Sequence, residues 1–483
     1  MSKEKKPFYL TTTLPYVNSN LHMGHALEFV RADIIARFKK IQGYDVFFNT
    51  GTDEHGMKIY EKARSFGKSS QEFVDESFLN FKESVKIFGM DEEILHFVRT
   101  TDEHHLKAAK EFWLRVYNNG FIYKKNYEAK YCVGCEETKS DSDLVNGECP
   151  IHPGRPIETI EEENYFFRYS AFGEKLLNFY EEKSNFIIPD FRYNEIKAFV
   201  TRGLQDFSIS RLKSKMPWGI EVPNDSEHVM YVWFDALVNY ISTLGWPENV
   251  EQFEKYWVNG NPTQYCGKDN TRFQSAMWQA MLMAAEIPNS HQIVVNGFIT
   301  GDGGIKMSKT LGNVVDPKDI VSEYGTDALR FFLAKEISNF EDSPFTAERF
   351  KEDYNSGLAN GLGNLVSRVM TMAENNLEAP VVIPEASIPT EYTDFLNAFE
   401  INKAVDLIWH EISALDLIIQ TKVPFKLVKT DIKAGREIIS SLVVSLNMLA
   451  RMLSPVLPET SEKILSLIKE NKKPTQPLFL RKE

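Results

Sequence analysis

The sequence predicts an α/β fold, in which a doubly wound parallel sheet is split by an insertion and followed by an all-α helical bundle. Three observations predict this class. Strand, helix and strand patterns alternate at the N-terminus and again after residue 260, the stretch between them carries a cysteine cluster, and only helical periodicity remains beyond residue 350. The chain has 483 residues, which is room for about three domains.

The first β-α-β unit lies within the N-terminal fifty residues. Residues 8–14 are β-branched and aromatic and predict a strand, and residues 25–41 carry a helical pattern that ends at Gly43. Basic residues in the last turns of that helix match the negative end of its dipole. Residues 44–49 predict the second strand.

A second unit follows the insertion, with strands predicted at 263–266 and 291–296 and a helix at 271–285. We expect both units to join one Rossmann-type sheet. The insertion, with a helical stretch near 194–206, is predicted to be a domain in its own right. The predicted bounds are 1–117 and 226–300 for the two halves of the sheet domain, 118–225 for the insertion, 301–350 for a lysine-containing loop and the region after it, and 351–483 for the bundle.

Composition limits the possible classes of protein. With 43% hydrophobic and 25% charged residues, the chain is not a disordered one. The 55 basic and 68 acidic residues give a net charge of −13, which argues against a surface coated with basic residues for nucleic acid but leaves room for a local basic patch. Neither a signal peptide nor an apolar stretch long enough to span a membrane is visible, so we expect a cytoplasmic protein without a membrane partner.

Two short motifs point to phosphate chemistry. His22, Gly24 and His25 stand where the first helix begins, and the unpaired N–H groups and positive dipole end of a helix favour phosphate there. Lys306 and Lys309 lie in a glycine-rich loop after the last strand. Each motif alone could be an ordinary surface turn. At the carboxyl ends of neighbouring parallel strands, the two together could hold a triphosphate from both sides.

The spacing of Cys132, Cys135, Cys149 and His152 is typical of tetrahedral zinc. Four protein ligands leave no open coordination position, so the predicted zinc is structural. The alternative is a loop of the same composition that holds no metal. Cys266 stands apart and is predicted to lie in the core of a strand.

The two phosphate motifs, HMGH and KMSKT, resemble the HIGH and KMSKS signatures of class I aminoacyl-tRNA synthetases, and the finer match is to the methionyl-tRNA synthetase family. The resemblance covers nearly the whole chain. It runs through TTTLPYVN at 11–18, GTDEHG at 51–56, YVWFDA at 231–236, GKD at 267–269 and NVVDP at 313–317. It implies that ATP and L-methionine condense to methionyl-adenylate with release of pyrophosphate. The methionyl group then passes to initiator and elongator tRNA(Met), with release of AMP, for translation.

The resemblance also implies catalytic and ATP-binding roles. His22 and His25 would stabilise charge at the α-phosphate, while Lys306 and Lys309 would hold the departing pyrophosphate, with Mg²⁺ screening the phosphates. The further ATP-binding positions it implies are Asn18, Gly24, Gly267 and Asp269. Residues 118–225 would be a connective insertion with a zinc knuckle, 301–350 would contact the tRNA stem, and 351–483 would bind the anticodon.

For the amino acid, the resemblance implies that Asp53 binds the substrate ammonium, because a buried cation requires an opposite charge. Its alternative role is to cap the next helix. The remaining pocket residues it implies are Leu14, Trp233, Tyr240, Phe273, Gln274 and Trp278. On composition alone, the apolar members could be ordinary core. Gln274 stands where the family usually has histidine, and its amide can still donate toward the substrate sulfur or to Tyr240.

In the bundle, Asn360, Asn364 and Arg368 recur at i, i+4 and i+8 and are predicted to share one helical face suited to the base edges of an unpaired anticodon. They match the helix with which the family reads CAU. Phe425 stands at the family's stacking tryptophan. The basic residues around it are predicted to lie on one helical side and to track phosphates: Lys422, Lys426, Lys429, Lys433 and Arg436.

Two other interpretations remain open. One is a synthetase for another amino acid, such as cysteine or leucine. However, the insertion is short for an editing domain, and the pocket aromatics leave no evident place for a substrate-binding metal. The other is a tRNA-binding paralogue or adenylyltransferase without charging activity, which the intact motif residues argue against. Some members of the family carry a further C-terminal OB-type module that pairs subunits. Because this sequence ends at Glu483, just after the helices, we expect a monomer.

Overall fold

The computed structural model describes residues 5–135, 137–139, 143–304 and 315–483. Its centre is a six-stranded sheet in which all neighbouring strands are parallel. From one edge to the other the strands are Leu95–Arg99, Asp45–Thr52, Pro7–Thr11, Thr263–Gly267, Gln292–Asn296 and Ile187–Ile188. The order reverses at the Pro7–Thr11 strand, so the carboxyl ends on either side of it open a crevice. The predicted fold class is confirmed.

Alternate side chains of the sheet enter two different cores. Phe8 and Leu10 face a core that also contains the helix Met23–Ile41, and this core continues into the C-terminal helices. Tyr9 faces the opposite core, which contains the apolar side of the helix Glu103–Asn118. Burial on both faces explains why the strands are apolar throughout.

Further elements connect and cover the sheet. The remaining helices and helical turns before residue 347 are Met57–Ser65, Ser70–Ile87, Tyr169–Phe172, Gly173–Glu182, Asp190–Thr201, Val232–Ala236, Asn239–Ser242, Val250–Phe253, Glu254–Val258, Lys268–Asn270, Phe273–Met277, Trp278–Ala284, Asp302–Gly304, Pro317–Tyr324 and Thr326–Lys335. A short parallel pair joins Ile299–Thr300 to Ser343–Pro344.

The insertion carries two small antiparallel sheets. One has the strand order Glu137–Lys139, Ile122–Cys132, Ile157–Phe167 and Phe207–Ser208, and the other has the order Glu221–Val222, Asp225–Met230 and Ser210–Leu212. Part of the range 118–225 belongs to the central fold, because Ile187–Ile188 pairs with the edge of the large sheet. The helix expected near 194–206 is Asp190–Thr201, which begins directly after Pro189.

Two buried arginines join the first helix to the rest of the chain. Arg31 donates to the backbone oxygens of Leu333, Ile337 and Asn339, at 3.2, 2.6 and 2.9 Å. Arg330 forms a 2.7 Å ion pair with Asp33, and both side chains are fully buried. The helix that starts at the HMGH motif is therefore held rigidly against the later segments.

The C-terminal region, 347–483, is helical throughout its regular structure, as predicted. Its helices are Ala347–Asp353, a wider π-helical segment Tyr354–Gly363, Asn364–Asn376, Thr390–Asn397, Ile401–Lys422, Pro424–Leu427, Ile432–Leu453 and Pro458–Glu470. Among the helices of the described residues, none combines the length and hydropathy needed to cross a bilayer.

The prediction that the basic residues from Lys422 to Arg436 share one helical side is wrong. They are distributed over three helices and the turn that follows the second of them, because the chain turns at Val423, which has φ 45°, and again before Asp431. Pro424 cannot continue the preceding helix, and the Asp431 carboxylate caps a new helix by accepting from the Ala434 N–H at 3.0 Å.

Candidate functional site

The two histidines of the HMGH motif are stacked at the start of the first helix. Their ring centroids are 3.9 Å apart, with 28° between the planes. His22 is the N-cap: its Nδ1 accepts from the Gly24 N–H at 3.1 Å, while His25 Nδ1 accepts from the His22 N–H at 3.2 Å. A Cβ on Gly24 would stand 2.9 Å from the His22 ring, so any other residue would displace that ring from its capping position.

These bonds assign the tautomers of both rings. A nitrogen that accepts a backbone N–H carries no proton, so each neutral imidazole is protonated at Nε2. Burial and the neighbouring His22 hold the pKa of His25 well below its ordinary value, so His25 is neutral at pH 7. The motif therefore offers N–H donors without a permanent charge.

Glu28, one turn beyond His25, is a site residue that the sequence analysis missed. Its Oε1 accepts the Thr13 N–H at 2.6 Å, and the Gly267 N–H also bonds to it. Burial, opposed by these bonds and reinforced by the negative charge of Asp269, raises the pKa of Glu28 to about 8. An acidic residue between the apolar Leu27 and Phe29, one turn beyond the HMGH motif, is the signal that could have identified it.

Gly267 and Asp269 follow the Thr263–Gly267 strand. A Cβ on Gly267 would stand 2.8 Å from Asp269 Oδ1, so glycine lets the chain turn closely around this carboxylate. Asp269 is exposed, while Glu28 is buried behind it. The first helix and this strand thus bring the two carboxyl groups together at the carboxyl edge of the sheet.

The loop after the Asp45–Thr52 strand carries two neighbouring acids with different surroundings. Glu54 accepts from Arg99 Nε at 2.8 and 3.1 Å and from Thr52 at 2.6 Å, so its charge is already balanced by the guanidinium. Asp53 is also buried, and its N–H donates to the Pro15 oxygen at 3.0 Å. The loop therefore lies against the segment that contains Leu14.

The four aromatic residues of the predicted amino-acid pocket lie in the second half of the sheet domain, between positions 233 and 278. Trp233 and Phe273 stack with ring centroids 4.0 Å apart and 3° between the planes. Tyr240 and Trp278 are fully buried, with centroids 5.9 Å apart. These four aromatic rings form two contacting pairs, in keeping with one apolar wall.

Gln274 is 1% exposed and donates from Nε2 to Thr13 Oγ1 at 2.9 Å. Its Oε1 is buried and accepts no hydrogen bond from the described residues. The amide nitrogen therefore donates to the loop after the first strand. The sequence had indicated the substrate sulfur or Tyr240 as its acceptor.

Asp235 lies behind this pocket and was also missed by the sequence analysis. Its two oxygens meet His55 Nδ1 at 2.7 Å and His105 Nε2 at 2.9 Å. Burial opposes ionisation, but the two imidazoles outweigh it and hold the pKa of Asp235 below its ordinary value. The group is a carboxylate at neutral pH. An acid within the apolar segment YVWFDA is the signal for it.

The remaining predicted ATP-site positions are Asn18, Lys306 and Lys309. Lys306 and Lys309 fall outside the described residues. Asn18 is half-buried and lines a cleft of about 460 Å³ together with Lys58 and Lys62 on one side and His152 on the other.

The four predicted metal ligands converge. The donor atoms of Cys132, Cys135, Cys149 and His152 all lie within 4.8 Å of one another. His152 Nδ1 is 3.9, 3.3 and 4.0 Å from the three sulfur atoms, in chain order. Tetrahedral zinc with its usual bond lengths gives ligand separations of about 3.6 to 3.8 Å. A Cβ on Gly134 would stand 2.5 Å from the His152 ring, so glycine makes room for this ligand.

In the bundle, Asn360, Asn364 and Arg368 are all exposed. Arg368 forms a 2.6 Å ion pair with Asp416, a residue that the sequence analysis did not single out. Phe425 is 46% exposed, which leaves a ring face open to solvent. A stacking platform needs such a face.

Comparison with known proteins gives a consistent result. The family model described as "tRNA synthetases class I (M)" matches residues 8–155 and 142–370. A methionine–tRNA ligase of Caldanaerobacter subterraneus subsp. tengcongensis is 41% identical over an alignment of 476 positions that covers 95% of this chain and 73% of that protein. The corresponding ligase of Thermotoga maritima is 38% identical over an alignment of 488 positions, gaps included, that covers 97% of this chain and 76% of that protein.

Among solved structures, the chain is similar to Mycobacterium tuberculosis methionyl-tRNA synthetase in complex with methionyl-adenylate. The two share 35% identity and superpose with a TM-score of 0.89 over 96% of this chain and 94% of the other. The apo form of the same enzyme superposes with a TM-score of 0.84 over the whole of this chain.

Proposed function

Since the chain belongs to the methionyl-tRNA synthetase family of class I tRNA synthetases, we propose that it is a methionine–tRNA ligase. It condenses L-methionine with ATP to methionyl-adenylate and transfers the methionyl group to tRNA(Met). The observation that carries this function is its similarity, over nearly its whole length, to an enzyme solved with methionyl-adenylate. The relatives are methionine ligases, which argues against a cysteine or leucine enzyme.

In the activation step, the methionine carboxylate attacks the α-phosphate of ATP in line, and negative charge develops on the phosphate oxygens. His22 and His25 stabilise that charge through their Nε2–H groups. The capping bonds support this role, because they fix the tautomer before the substrate arrives and no reorganisation is needed. Neutral donors also avoid a permanent ion pair with ATP that would persist in the ground state.

For methionine, Asp53 binds the ammonium group. The ion pair between Glu54 and Arg99 supports this assignment, because it makes Glu54 the less suitable of the two neighbouring acids. The stacked rings of Trp233 and Phe273, with Leu14, Tyr240, Gln274 and Trp278, form a polarisable wall for the thioether.

For ATP, Asp269 binds the ribose, with Glu28 as a protonated neighbour that keeps a second negative charge away from the nucleotide. Asn18, Gly24 and Gly267 complete the nucleotide site. Lys306 and Lys309 hold the pyrophosphate, by resemblance to the family's mobile loop. Mg²⁺ supplies screening of the phosphate charges when it is bound.

The Cys3His cluster would hold zinc as a structural ion in the connective insertion, and the ligand separations support that metal. Asn360, Asn364 and Arg368 read the anticodon, and Phe425 stacks on it. Both initiator and elongator tRNA(Met) are substrates. One chain carries every one of these groups, so we propose that the enzyme acts as a monomer, in the cytoplasm.

The test is ATP–pyrophosphate exchange with a panel of amino acids. We expect exchange with methionine and at least 100-fold weaker exchange, in kcat/KM, with leucine and cysteine; comparable exchange with either would contradict the proposal. His22→Ala is expected to lower kcat about 100-fold, the usual effect of losing one donor to a developing anion. His410→Ala is the control, since His410 is an exposed histidine on the helix Ile401–Lys422, outside the sheet domain.

A further inference from the structure

A buried chain of hydrogen bonds runs behind the candidate methionine site. His55 Nδ1 lies 2.7 Å from one oxygen of Asp235, and His105 Nε2 lies 2.9 Å from the other. His105 Nδ1 in turn lies 2.8 Å from Ser242 Oγ. His55 is 5% exposed and the other three side chains are fully buried. With Asp235 ionised, both imidazoles donate to it, and Ser242 donates to His105.

The hydrogen bond between His55 and Asp235 connects the two halves of the sheet domain. His55 is two residues beyond Asp53, on the loop that binds the substrate ammonium. Asp235 is two residues beyond Trp233, on the short helix Val232–Ala236 that supplies the wall of the pocket. The bond between His55 and Asp235 therefore joins the two parts of the methionine site across 180 residues of sequence.

The loop is also anchored on its other side. Trp218 Nε1 donates to the backbone oxygen of Glu54 at 2.7 Å, and the Gly56 N–H donates to the backbone oxygen of Trp218 at 3.1 Å. Glu54 itself is fixed by Arg99. Side chains on both sides of the loop thus hold it in one position, and His55 supplies the connection to the pocket helix.

We propose that the His55–Asp235 hydrogen bond is a positioning device for methionine, which fixes the distance between the Asp53 carboxylate and the Trp233 ring. The inference rests on the proposed function, which assigns those two residues to the amino acid. His105 has a different role: it orients Asp235 from the side away from the loop. A displacement of about 1 Å in such a site can cost roughly 100-fold in rate, so loss of the connection has a measurable effect.

Two matched variants test the proposal, because each deletes one histidine that bonds to the same carboxylate. His55→Leu removes the bond to the loop, and His105→Leu removes the bond behind it. His55→Asn is the conservative variant, since its amide nitrogen can occupy the position of the ring Nδ1. Steady-state exchange gives KM for methionine and for ATP separately, and thermal unfolding reports the loss of stability of each variant.

We expect His55→Leu to raise KM for methionine about tenfold or more, the usual effect of losing one hydrogen bond to a charged group. KM for ATP should stay within about threefold, and His55→Asn should recover most of the methionine affinity. His105→Leu should lower the unfolding temperature about as much as His55→Leu does, but it should change KM for methionine less than about threefold. If His55→Leu does not fold, His55→Gln, whose amide nitrogen lies at the Nε2 position, takes its place against His55→Asn.

Four outcomes would overturn the inference. They are an unchanged KM for methionine in His55→Leu, an equal rise of both KM values, an equal effect of the two leucine variants on KM for methionine, and no difference between the asparagine variant and the leucine or glutamine variant. These outcomes are distinct from failure of the proposed function. A wild-type chain without methionine-dependent exchange would overturn the function itself, whereas an active wild type with an unchanged KM in His55→Leu would overturn the positioning role alone.

Discussion

Replacing Glu28 by glutamine should change how the stability of the enzyme depends on pH. The Glu28 carboxyl is buried and accepts the Thr13 N–H, and its pKa rises from 4.5 to about 8. Glutamine keeps the accepting oxygen and the shape of the side chain but cannot ionise. The variant therefore isolates the cost of placing a negative charge at this position.

The sign follows from the direction of the pKa change. Because the folded state holds this proton more tightly than the unfolded chain, the stability that it contributes is fully present below pH 4.5 and is lost as the pH rises through about 8. Each tenfold change in the acid equilibrium is worth about 1.4 kcal/mol, so the total effect is about 5 kcal/mol, of which roughly 4 kcal/mol falls between pH 5 and pH 9.

The assay is urea unfolding of wild type and Glu28→Gln at intervals between pH 5 and pH 9. The two unfolding midpoints should diverge as the pH rises, with the variant more stable than wild type by the largest margin at pH 9. Glu83→Gln, at an exposed acid of the helix Ser70–Ile87, shows the effect of removing one negative charge by itself. Parallel curves for wild type and Glu28→Gln would refute the reasoning, because they would mean that Glu28 titrates alike in both states.

Three further predictions concern the metal, the pocket and the anticodon. Metal analysis should find one zinc per chain, and Cys149→Ser should lose it; well under one zinc in the wild type would contradict the assignment. Gln274→His should keep activity and change mainly KM for methionine or discrimination between amino acids, because position 274 bonds to Thr13 at the pocket and not to the phosphates. A fall in kcat with KM intact would count against that role. Phe425→Ala should remove one base-stacking contribution to tRNA binding, roughly 1 to 3 kcal/mol, and so reduce the rate of tRNA charging, while adenylate formation stays unchanged. Equal loss in both assays would contradict the stacking role.

Much of the fold could be predicted from local patterns. The first and second β-α-β units have long strands and helices with turn residues at their ends, and the structure confirms their types. Ile187–Ile188 could not be predicted, because a two-residue strand gives no periodicity and joins the sheet only through contacts distant in sequence. The prediction that the basic residues from Lys422 to Arg436 share one helical side was wrong for a different reason. It assumed one continuous helix through Pro424 and Asp431, although proline and an N-cap aspartate mark points where a helix begins anew.

For the candidate site, motifs identified residues that are close in sequence but not the partners that orient them. The pairing of His55 with Asp235 joins positions 180 residues apart. Likewise, Asp416 engages Arg368 from another helix of the bundle. The net charge of −13 could not identify the site either, because a sum over the chain does not describe how charge is distributed locally.

Charging of a tRNA with a CAU anticodon tests the central claim most directly. Purified enzyme, ATP and Mg²⁺ should attach methionine to that tRNA, in its initiator and elongator forms, and should not attach leucine or cysteine. A tRNA that differs only in the first anticodon base should be charged at least 100-fold more slowly. Methionine activation without transfer to the CAU tRNA, or transfer of another amino acid at a comparable rate, would contradict the account.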